Sequence, residues 1–183
     1  MALVYLFTGN GKGKTSAALG IALRSVCASQ KVAWIYWYKN ENWYISEKKI
    51  GKFLPIDFYL LGKGFYITAE AKAKDKNLAN CDKLDFADHQ EAAQKALQKT
   101  KQILQAQKHD LLILDEIVNA VTDKLLDFAE LENLIKNKKE THLILTGRNA
   151  SKKLMQLCDL VSKIEKIKHP FDQQMPAVKG LDF

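Results

Sequence analysis

Short apolar runs alternate with longer amphipathic stretches along most of this chain. Each run is rich in Val, Ile, Leu or aromatic residues and ends at glycine or polar residues, which is typical of buried β-strands. On this pattern we predict strands at residues 2–7, 31–38, 56–61, 110–115, 142–146 and 160–167.

The stretches between these runs have helical character. Residues 124–136 place Leu125, Phe128, Leu131 and Leu134 on one stripe, as in an amphipathic helix. Residues 91–107 are rich in Ala, Gln, Lys and Leu, which favour helices by intrinsic propensity. Further helices are predicted at residues 15–28, 45–53 and 151–158. Because strands alternate with helices and the strands are almost continuously apolar, we predict an α/β fold with a mostly parallel central sheet covered by helices on both faces.

The length of 183 residues suits a single domain spanning residues 1–183. Two segments do not follow the alternating pattern. Residues 62–88 are polar and poorly patterned. A segment of this length is a functional lid or substrate-binding loop, and the alternative is a poorly ordered surface loop. The tail from residue 169 onwards contains Pro170 and Pro176, and we expect it to wrap the domain as coil.

Composition and charge narrow the class of protein. With 47% hydrophobic and 27% charged residues, the chain has the balance of a globular domain rather than a disordered one. The net charge of +7 comes almost entirely from lysine, since Arg24 and Arg148 are the only arginines. This charge favours anionic partners such as nucleotides, although a lysine-rich soluble surface is an equally good explanation. The aromatic-rich residues 34–43 include only one basic side chain, Lys39, and we expect no nucleic-acid partner.

Cysteine and histidine positions give no sign of a metal or redox motif. Cys27, Cys81 and Cys158 lack metal-ligand or redox spacing, which suits a reducing cytoplasm. The apolar N-terminus is too short for a signal peptide or a membrane span, so we expect a cytoplasmic protein without a membrane partner. The four histidines are interpreted as structural or surface residues: His89, His109, His142 and His169.

A glycine-rich segment stands between the first predicted strand and the first predicted helix, the context of a phosphate-binding loop. Its glycines let backbone N–H groups turn toward an anion, and the helix directs its positive end there. Lys14 supplies a cation to phosphate oxygens, Lys12 adds a second one, and Thr15 offers a hydroxyl to Mg²⁺. The usual first glycine of such loops is replaced by Thr8, so the loop is a variant. The binding segment consists of Gly9, Asn10, Gly11, Lys12, Gly13, Lys14 and Thr15.

Two further strand ends contain residues suited to a nucleotide site. Asp115 and Glu116 follow an apolar run, where an acid can hold Mg²⁺ directly or through water; the pattern does not decide which of the two does so. Thr146, Gly147 and Arg148 follow another run. The planar guanidinium of the arginine suits phosphate oxygens, and a surface ion pair is the alternative.

Taken together, these stretches resemble the ATP:cob(I)alamin adenosyltransferases of the CobA/CobO/BtuR type. The similarity includes the loop from Phe7 to Thr15, the magnesium strand at residues 113–116 and the strand-end arginine at residues 146–148. Residues 168–172 and 179–183 resemble the C-terminal signature of that family. The resemblance covers essentially the whole chain.

The resemblance implies a RecA-like P-loop fold, usually in a homodimer. It also implies that ATP, Mg²⁺ and a corrinoid are the ligands, with a flavoprotein as the reductant partner. Reduced cobalt of the corrinoid attacks the 5′ carbon of ATP, and triphosphate leaves, in adenosylcobalamin biosynthesis or salvage. Lys12, Lys14 and Arg148 would then stabilise the leaving triphosphate, and no general base is required.

At the corrinoid side the sequence departs from the family. The family has a Phe-x-Trp pattern whose aromatic rings crowd the lower axial face of the cobalt, and here the positions are Phe65 and Ile67. The resemblance implies corrinoid contacts for both residues, and Tyr66, Trp37 or Trp43 could stand in for the missing tryptophan. The family commonly has an N-terminal extension that helps to cover the corrinoid, whereas this sequence starts at its first predicted strand.

Two other classes of function use part of the same features. A P-loop ATPase or kinase needs only the phosphate loop and the acidic strand end. A non-catalytic module that binds nucleotide or corrinoid would fit the replacement of tryptophan by Ile67. The reaction products distinguish all three.

Overall fold

A computed structural model describes residues 1–43, 46–74, 81–173 and 175–181, without the side chains of Glu47, Lys48 and Phe171. Three predicted features fall partly outside these residues: the first residue of the 45–53 helix, residues 75–80 of the 62–88 segment, and residues 174, 182 and 183 of the C-terminal tail. The strands are β1 (Val4–Thr8), β2 (Val32–Tyr36), β3 (Ile56–Leu60), β4 (Leu111–Asp115), β5 (His142–Thr146) and β6 (Leu160–Lys163).

Helices connect most of these strands. The α-helices are α1 (Lys14–Cys27), α2 (Ala69–Lys74), α3 (Phe86–Ala106), α4 (Ile117–Thr122), α5 (Phe128–Lys136) and α6 (Lys152–Gln156). Short 3₁₀ helices cover Ser46–Lys52 and Pro170–Gln173. Among the described helices, none is long and apolar enough to cross a membrane.

The strands form one sheet in the order β3-β2-β4-β5-β1-β6, and every neighbouring pair is parallel. Side chains alternate between its faces: Leu112 and Leu114 of β4 belong to one buried cluster, Leu111 and Ile113 to the other. Helices α3 to α6 cover the first face, and α1 covers the second. The predicted parallel sheet with helices on both faces is confirmed. The parallel arrangement brings the carboxyl ends of β1, β4 and β5 to one edge.

Several predicted boundaries were wrong for local reasons. Helix α3 begins five residues earlier than predicted, because Asp85 and Asp88 form a reciprocal capping box at its start. Helix α5 begins at Phe128 rather than at residue 124, and the short helix α4 was not predicted. Strand β6 ends at Lys163 rather than at residue 167, because the chain turns at Ile164 to pack on the glycine-rich loop.

Part of the 62–88 segment is ordered around one buried carboxylate, Asp82. Its oxygens accept hydrogen bonds from the backbone N–H groups of Ile67 (3.0 Å) and Leu84 (3.2 Å). The Lys72 ammonium lies 2.9 Å away, and the His89 ring 3.1 Å away. Burial raises the pKa of Asp82, but these hydrogen bonds outweigh burial and lower the pKa to about 2. Asp82 therefore links α2 and the start of α3 to the chain that follows β3. Whether the segment is a lid stays a prediction.

We expect Asp82→Asn to lower the free energy of unfolding at neutral pH by about 1–3 kcal/mol, because buried donors lose their charged acceptor. A carboxyl with a depressed pKa stabilises the folded state above its ordinary pKa of 3.8 and loses that contribution as pH falls toward about 2. The difference between wild type and variant should therefore shrink over this range in urea unfolding curves.

Glu132→Gln is the matched control for this prediction. Glu132 also has a pKa lowered to about 2, by hydrogen bonds from Lys136 and Lys153, but it lies on the surface of α5. Solvent screens that site, and we expect a smaller loss of stability. Equal losses in the two variants would contradict the role of Asp82 as a buried link.

Candidate functional site

A cavity of about 850 Å³ opens at the sheet edge where β1, β4 and β5 end. Its floor is the glycine-rich loop and the first turn of α1, and its walls include residues that follow β2, β4 and β5 and residues of the C-terminal tail. The lining residues are Asn10, Gly11, Lys12, Gly13, Lys14, Thr15, Ser16, Leu19, Lys39, Ser46, Ile50, Glu116, Arg148, Lys166, His169, Asp172, Gly180 and Leu181.

The three loop glycines have different structural roles. A Cβ on Gly9 would lie 2.3 Å from the carbonyl oxygen of Ile164, and a Cβ on Gly11 would lie 2.8 Å from the backbone of Glu165. The Gly11 N–H donates to the Ile164 carbonyl at 2.8 Å. Gly13 has open space around it but a φ of +116°, a conformation that favours glycine. Two glycines thus let the chain after β6 support the loop, while the third makes the turn into α1.

Lys14 is the buried cation of the site, with a relative exposure of 6%. Its Nζ donates to the carbonyl oxygens of Gly9 at 3.0 Å and Gly11 at 2.9 Å. Burial lowers the pKa of Lys14, the neighbouring Arg148 lowers it further, and the charges of Glu116 and Asp115 oppose both effects. The ammonium is therefore held by loop carbonyls, in a setting where an anionic ligand would stabilise its charged form.

Asp115 is fully buried at the end of β4 and accepts hydrogen bonds through Oδ1. The Thr15 hydroxyl donates to it at 3.1 Å, and the Thr146 hydroxyl at 2.7 Å. The Lys39 ammonium lies 3.7 Å from Oδ2. A carboxylate beside a hydroxyl at a phosphate loop is the oxygen donor set that Mg²⁺ prefers. The described residues contain no cluster of three or more His, Cys, Asp or Glu side chains suited to a metal, so the ion would also need phosphate and water oxygens.

Glu116 follows directly, in a left-handed backbone conformation with φ of 65°. Its backbone N–H donates to the Thr146 hydroxyl at 2.8 Å, and its carboxylate accepts a hydrogen bond from the Asn119 amide. Burial, and after it the charge of Asp115, raise the pKa of Glu116 above its usual range. The opposing charges of Lys14, Lys39 and Arg148 limit this rise.

Arg148 reaches the cavity from the end of β5. Its Nη1 lies 3.5 Å from the carbonyl oxygen of Asn10, and its backbone N–H donates to Asn119 Oδ1 at 2.6 Å. Gly147 has φ of +143°, and a Cβ there would lie 2.7 Å from Asn119 Oδ1 and from Val118. The turn after β5 therefore packs against α4, which directs the arginine toward the loop.

The structure brings the predicted loop, the acidic strand end and Arg148 together, and adds residues that the sequence analysis missed. Lys39 lines the cavity, and its ammonium also lies 4.7 Å from the centre of the Tyr36 ring. Asn119 bridges Glu116 and Arg148. His169, interpreted from sequence as a structural or surface residue, lines the cavity together with other tail residues. Lys39 directly follows the strand predicted at residues 31–38, and this position could have indicated it; Asn119 has no comparable sequence signal.

Phe65 and Ile67 lie outside the lining of this cavity. Phe65 is 46% exposed and packs against Tyr38, with ring centroids 5.2 Å apart, and against Trp43 at 5.7 Å. Ile67 is partly buried and donates its backbone N–H to Asp82. Of the three aromatic residues proposed to stand in for tryptophan, Trp43 lies next to Phe65. Trp37 is buried in the core, and Tyr66 packs on Phe86 and His89.

Comparisons with known proteins agree on one family. Residues 1–183 match the family described as ATP:corrinoid adenosyltransferase BtuR/CobO/CobP. A corrinoid adenosyltransferase of Sinorhizobium sp is 32% identical over 187 residues, covering 99% of this chain and 80% of that protein. The corrinoid adenosyltransferase CobA of Salmonella typhimurium is 30% identical over 185 residues, covering 99% and 85%.

One solved structure supports the fold independently of the sequence. A KaiC-like protein from Pyrococcus horikoshii superposes with a TM-score of 0.53 at 15% identity, covering 90% of this chain and 73% of that one. At this identity the similarity concerns the fold alone. It confirms the RecA-like P-loop architecture.

Proposed function

From the premise that this chain belongs to the ATP:corrinoid adenosyltransferase family BtuR/CobO/CobP, we propose that it transfers the 5′-deoxyadenosyl group of ATP to the reduced cobalt of a corrinoid. A bond forms between cobalt and the 5′ carbon, the bond between that carbon and the triphosphate oxygen breaks, and the electron pair leaves with triphosphate. The product would serve adenosylcobalamin biosynthesis or salvage.

The observation that supports this proposal best is the collection of cations around one cavity. Lys14 lies buried in the loop, while Lys12, Lys39 and Arg148 line the same cavity. Because a departing triphosphate gains negative charge, cations fixed in advance stabilise the transition state more than the bound substrate. The nucleophile is the substrate's own cobalt, so the site needs no general base.

Magnesium fits the oxygen donors at the end of β4. Thr15 and Asp115 would hold the ion, with Glu116 beside it, and Mg²⁺ would supply positive charge to the triphosphate. Thr146 orients Asp115 through its hydroxyl. The loop amides of residues 9–15 would hold the phosphates at the positive end of α1.

The corrinoid is proposed to bind near Phe65, whose partly exposed ring packs against Tyr38 and Trp43. Ile67 would contribute through its position on the same segment. A homodimer in the cytoplasm and a flavoprotein reductant complete the proposal, by similarity to the family.

Product analysis tests the proposed function directly. Protein, ATP, Mg²⁺ and chemically reduced cobalamin are incubated without oxygen, and cobalt–carbon bond formation is followed by absorbance while nucleotides are separated by anion exchange. We expect adenosylcobalamin and triphosphate in equal amounts. ADP and phosphate without a cobalt–carbon product would show an ATPase instead. Binding of both ligands without turnover would show a non-catalytic module.

A further inference from the structure

The carboxamide of Asn119 connects the ends of two neighbouring strands. Its Nδ2 donates to the Glu116 carboxylate after β4, and its Oδ1 accepts the backbone N–H of Arg148 after β5 at 2.6 Å. The orientation of the amide follows from these partners, because a carboxylate can only accept and a backbone N–H can only donate. One side chain thus contacts both an acidic and a basic member of the candidate site.

The hydrogen bond between Asn119 and Glu116 is not a capping interaction of helix α4. Glu116 occupies the N-cap position, where the side chain of a Ser, Thr, Asp or Asn usually accepts a backbone N–H of the first turn. In the described part of the chain, Glu116 makes no such capping bond, and its backbone has φ of 65°. The carboxylate is instead held by Asn119, close enough to Lys14, Lys39 and Arg148 for their charges to act on it. Helix α4 therefore begins without a side-chain cap, and Glu116 lines the cavity.

The surroundings of Asn119 hold the amide in place. A Cβ on Gly147 would come within 2.7 Å of its Oδ1, so the strand-end turn packs directly on the side chain. The backbone of Asn119 also takes part in α4, donating to the Glu116 carbonyl at 3.0 Å. Neither Glu116 nor Arg148 can change position at this contact without disturbing the other.

We propose that Asn119 is a positioning residue that fixes the Glu116 carboxylate and the Arg148 backbone in one arrangement, so that the magnesium side and the triphosphate side of the site are set together. This inference rests on the proposed function for its catalytic readout, but not for its binding readout. Supporting side chains of this kind typically change metal affinity or activity about 10- to 100-fold when replaced.

The key variant is Asn119→Asp, which has nearly the same shape. It keeps the oxygen that accepts from Arg148 but replaces the donor to Glu116 with a second negative oxygen. Asn119→Ala removes both bonds and serves if the aspartate variant does not fold. Asn133→Asp is the matched control, because it makes the same chemical change on an exposed position of α5 that does not line the cavity.

The experiment measures ATP affinity with Mg²⁺ and with EDTA, using displacement of a fluorescent ATP analogue, beside kcat and KM for adenosyl transfer. All assays run well below each variant's Tm and are normalised to folded protein. We expect Asn119→Asp to reduce the gain in ATP affinity that Mg²⁺ provides, and to lower kcat about 10- to 100-fold with a smaller change in KM. Asn133→Asp should behave as wild type.

The swapped double variant Glu116→Gln with Asn119→Asp separates positioning from plain structure. It restores a donor and an acceptor at this contact but moves the carboxylate to position 119. We expect Tm to recover while the magnesium effect and kcat do not. Full recovery of both would overturn the proposal, as would an Asn119→Asp variant that matches Asn133→Asp within about twofold in both readouts. Wild-type protein that makes no adenosylcorrinoid would instead overturn the proposed function, and the ATP measurements would still test Asn119.

Discussion

Replacing Lys14 with alanine should nearly abolish adenosyl transfer while leaving the protein folded. Loss of one preorganised group that stabilises developing charge typically costs about 10²–10³ in kcat, and Lys14 is the buried cation nearest the loop carbonyls. We therefore expect kcat/KM to fall by at least about 10²-fold. ATP and free triphosphate should both bind more weakly, because each depends on the same ammonium.

Stability should respond much less than activity. Burial lowers the pKa of Lys14, which means that the charged form is less stable in the folded chain than in water. Removing the side chain relieves this cost but leaves the Gly9 and Gly11 carbonyls without their donor, so Tm should change little. Lys95→Ala, at an exposed position of α3, is the control and should alter neither property. A Lys14→Ala variant that retains wild-type kcat/KM would contradict the assigned role, whatever its Tm.

A series of glycine-to-alanine variants should separate the two reasons why the phosphate loop needs glycine, which are a left-handed backbone and close contact with the chain after β6. Gly9→Ala brings a Cβ to within 2.3 Å of a backbone oxygen at a φ of +105°, whereas Gly13→Ala meets open space at +116°. Left-handed backbone strain costs about 1–3 kcal/mol, and forced contact in a packed site adds about 1–3 kcal/mol. Gly13→Ala should suffer the first cost alone, and Gly9→Ala both.

Gly20→Ala supplies the internal standard for this series. Gly20 lies within α1 with open space around it, and alanine there should stabilise the helix by up to about 1 kcal/mol. Unfolding in urea should rank the proteins as Gly20→Ala, wild type, Gly13→Ala and Gly9→Ala, from most to least stable. Gly9→Ala should also lose ATP binding. If Gly9→Ala proved as stable as Gly13→Ala, the close packing against Ile164 would not constrain the loop.

Most of the fold could be predicted from sequence because its determinants are local. The four central strands β1, β2, β4 and β5 are short apolar runs, and their composition predicts their burial. Local reasoning failed where a distant partner decides the outcome. Residues 164–167 were predicted to continue β6, yet the strand ends at Lys163. The Ile164 N–H still donates to Thr8 of β1, but its carbonyl accepts the Gly11 N–H of the loop after β1. The order around Asp82 likewise depends on donors from three separate segments.

The candidate site also contains residues that could be predicted from the sequence and residues that depend on tertiary contacts. The phosphate loop, the acids after β4 and Arg148 stand at strand ends, and the parallel topology alone brings them together. Asn119 is one polar residue in a short helix, and only the contact between α4 and the turn after β5 distinguishes it. Lys39 follows a predicted strand, but its role in the site depends on the sheet order, which places β2 next to β4.

The contact between Ile164 and the phosphate loop also bears on how the protein is made. The loop precedes β6 in the chain, so it is synthesised before the residues that support Gly9 and Gly11. Nascent chains that stop before β6 would contain every loop residue yet lack this support. Nucleotide binding should therefore arise only after β6 and the turn at Ile164 have been synthesised, when nearly the whole sheet can form.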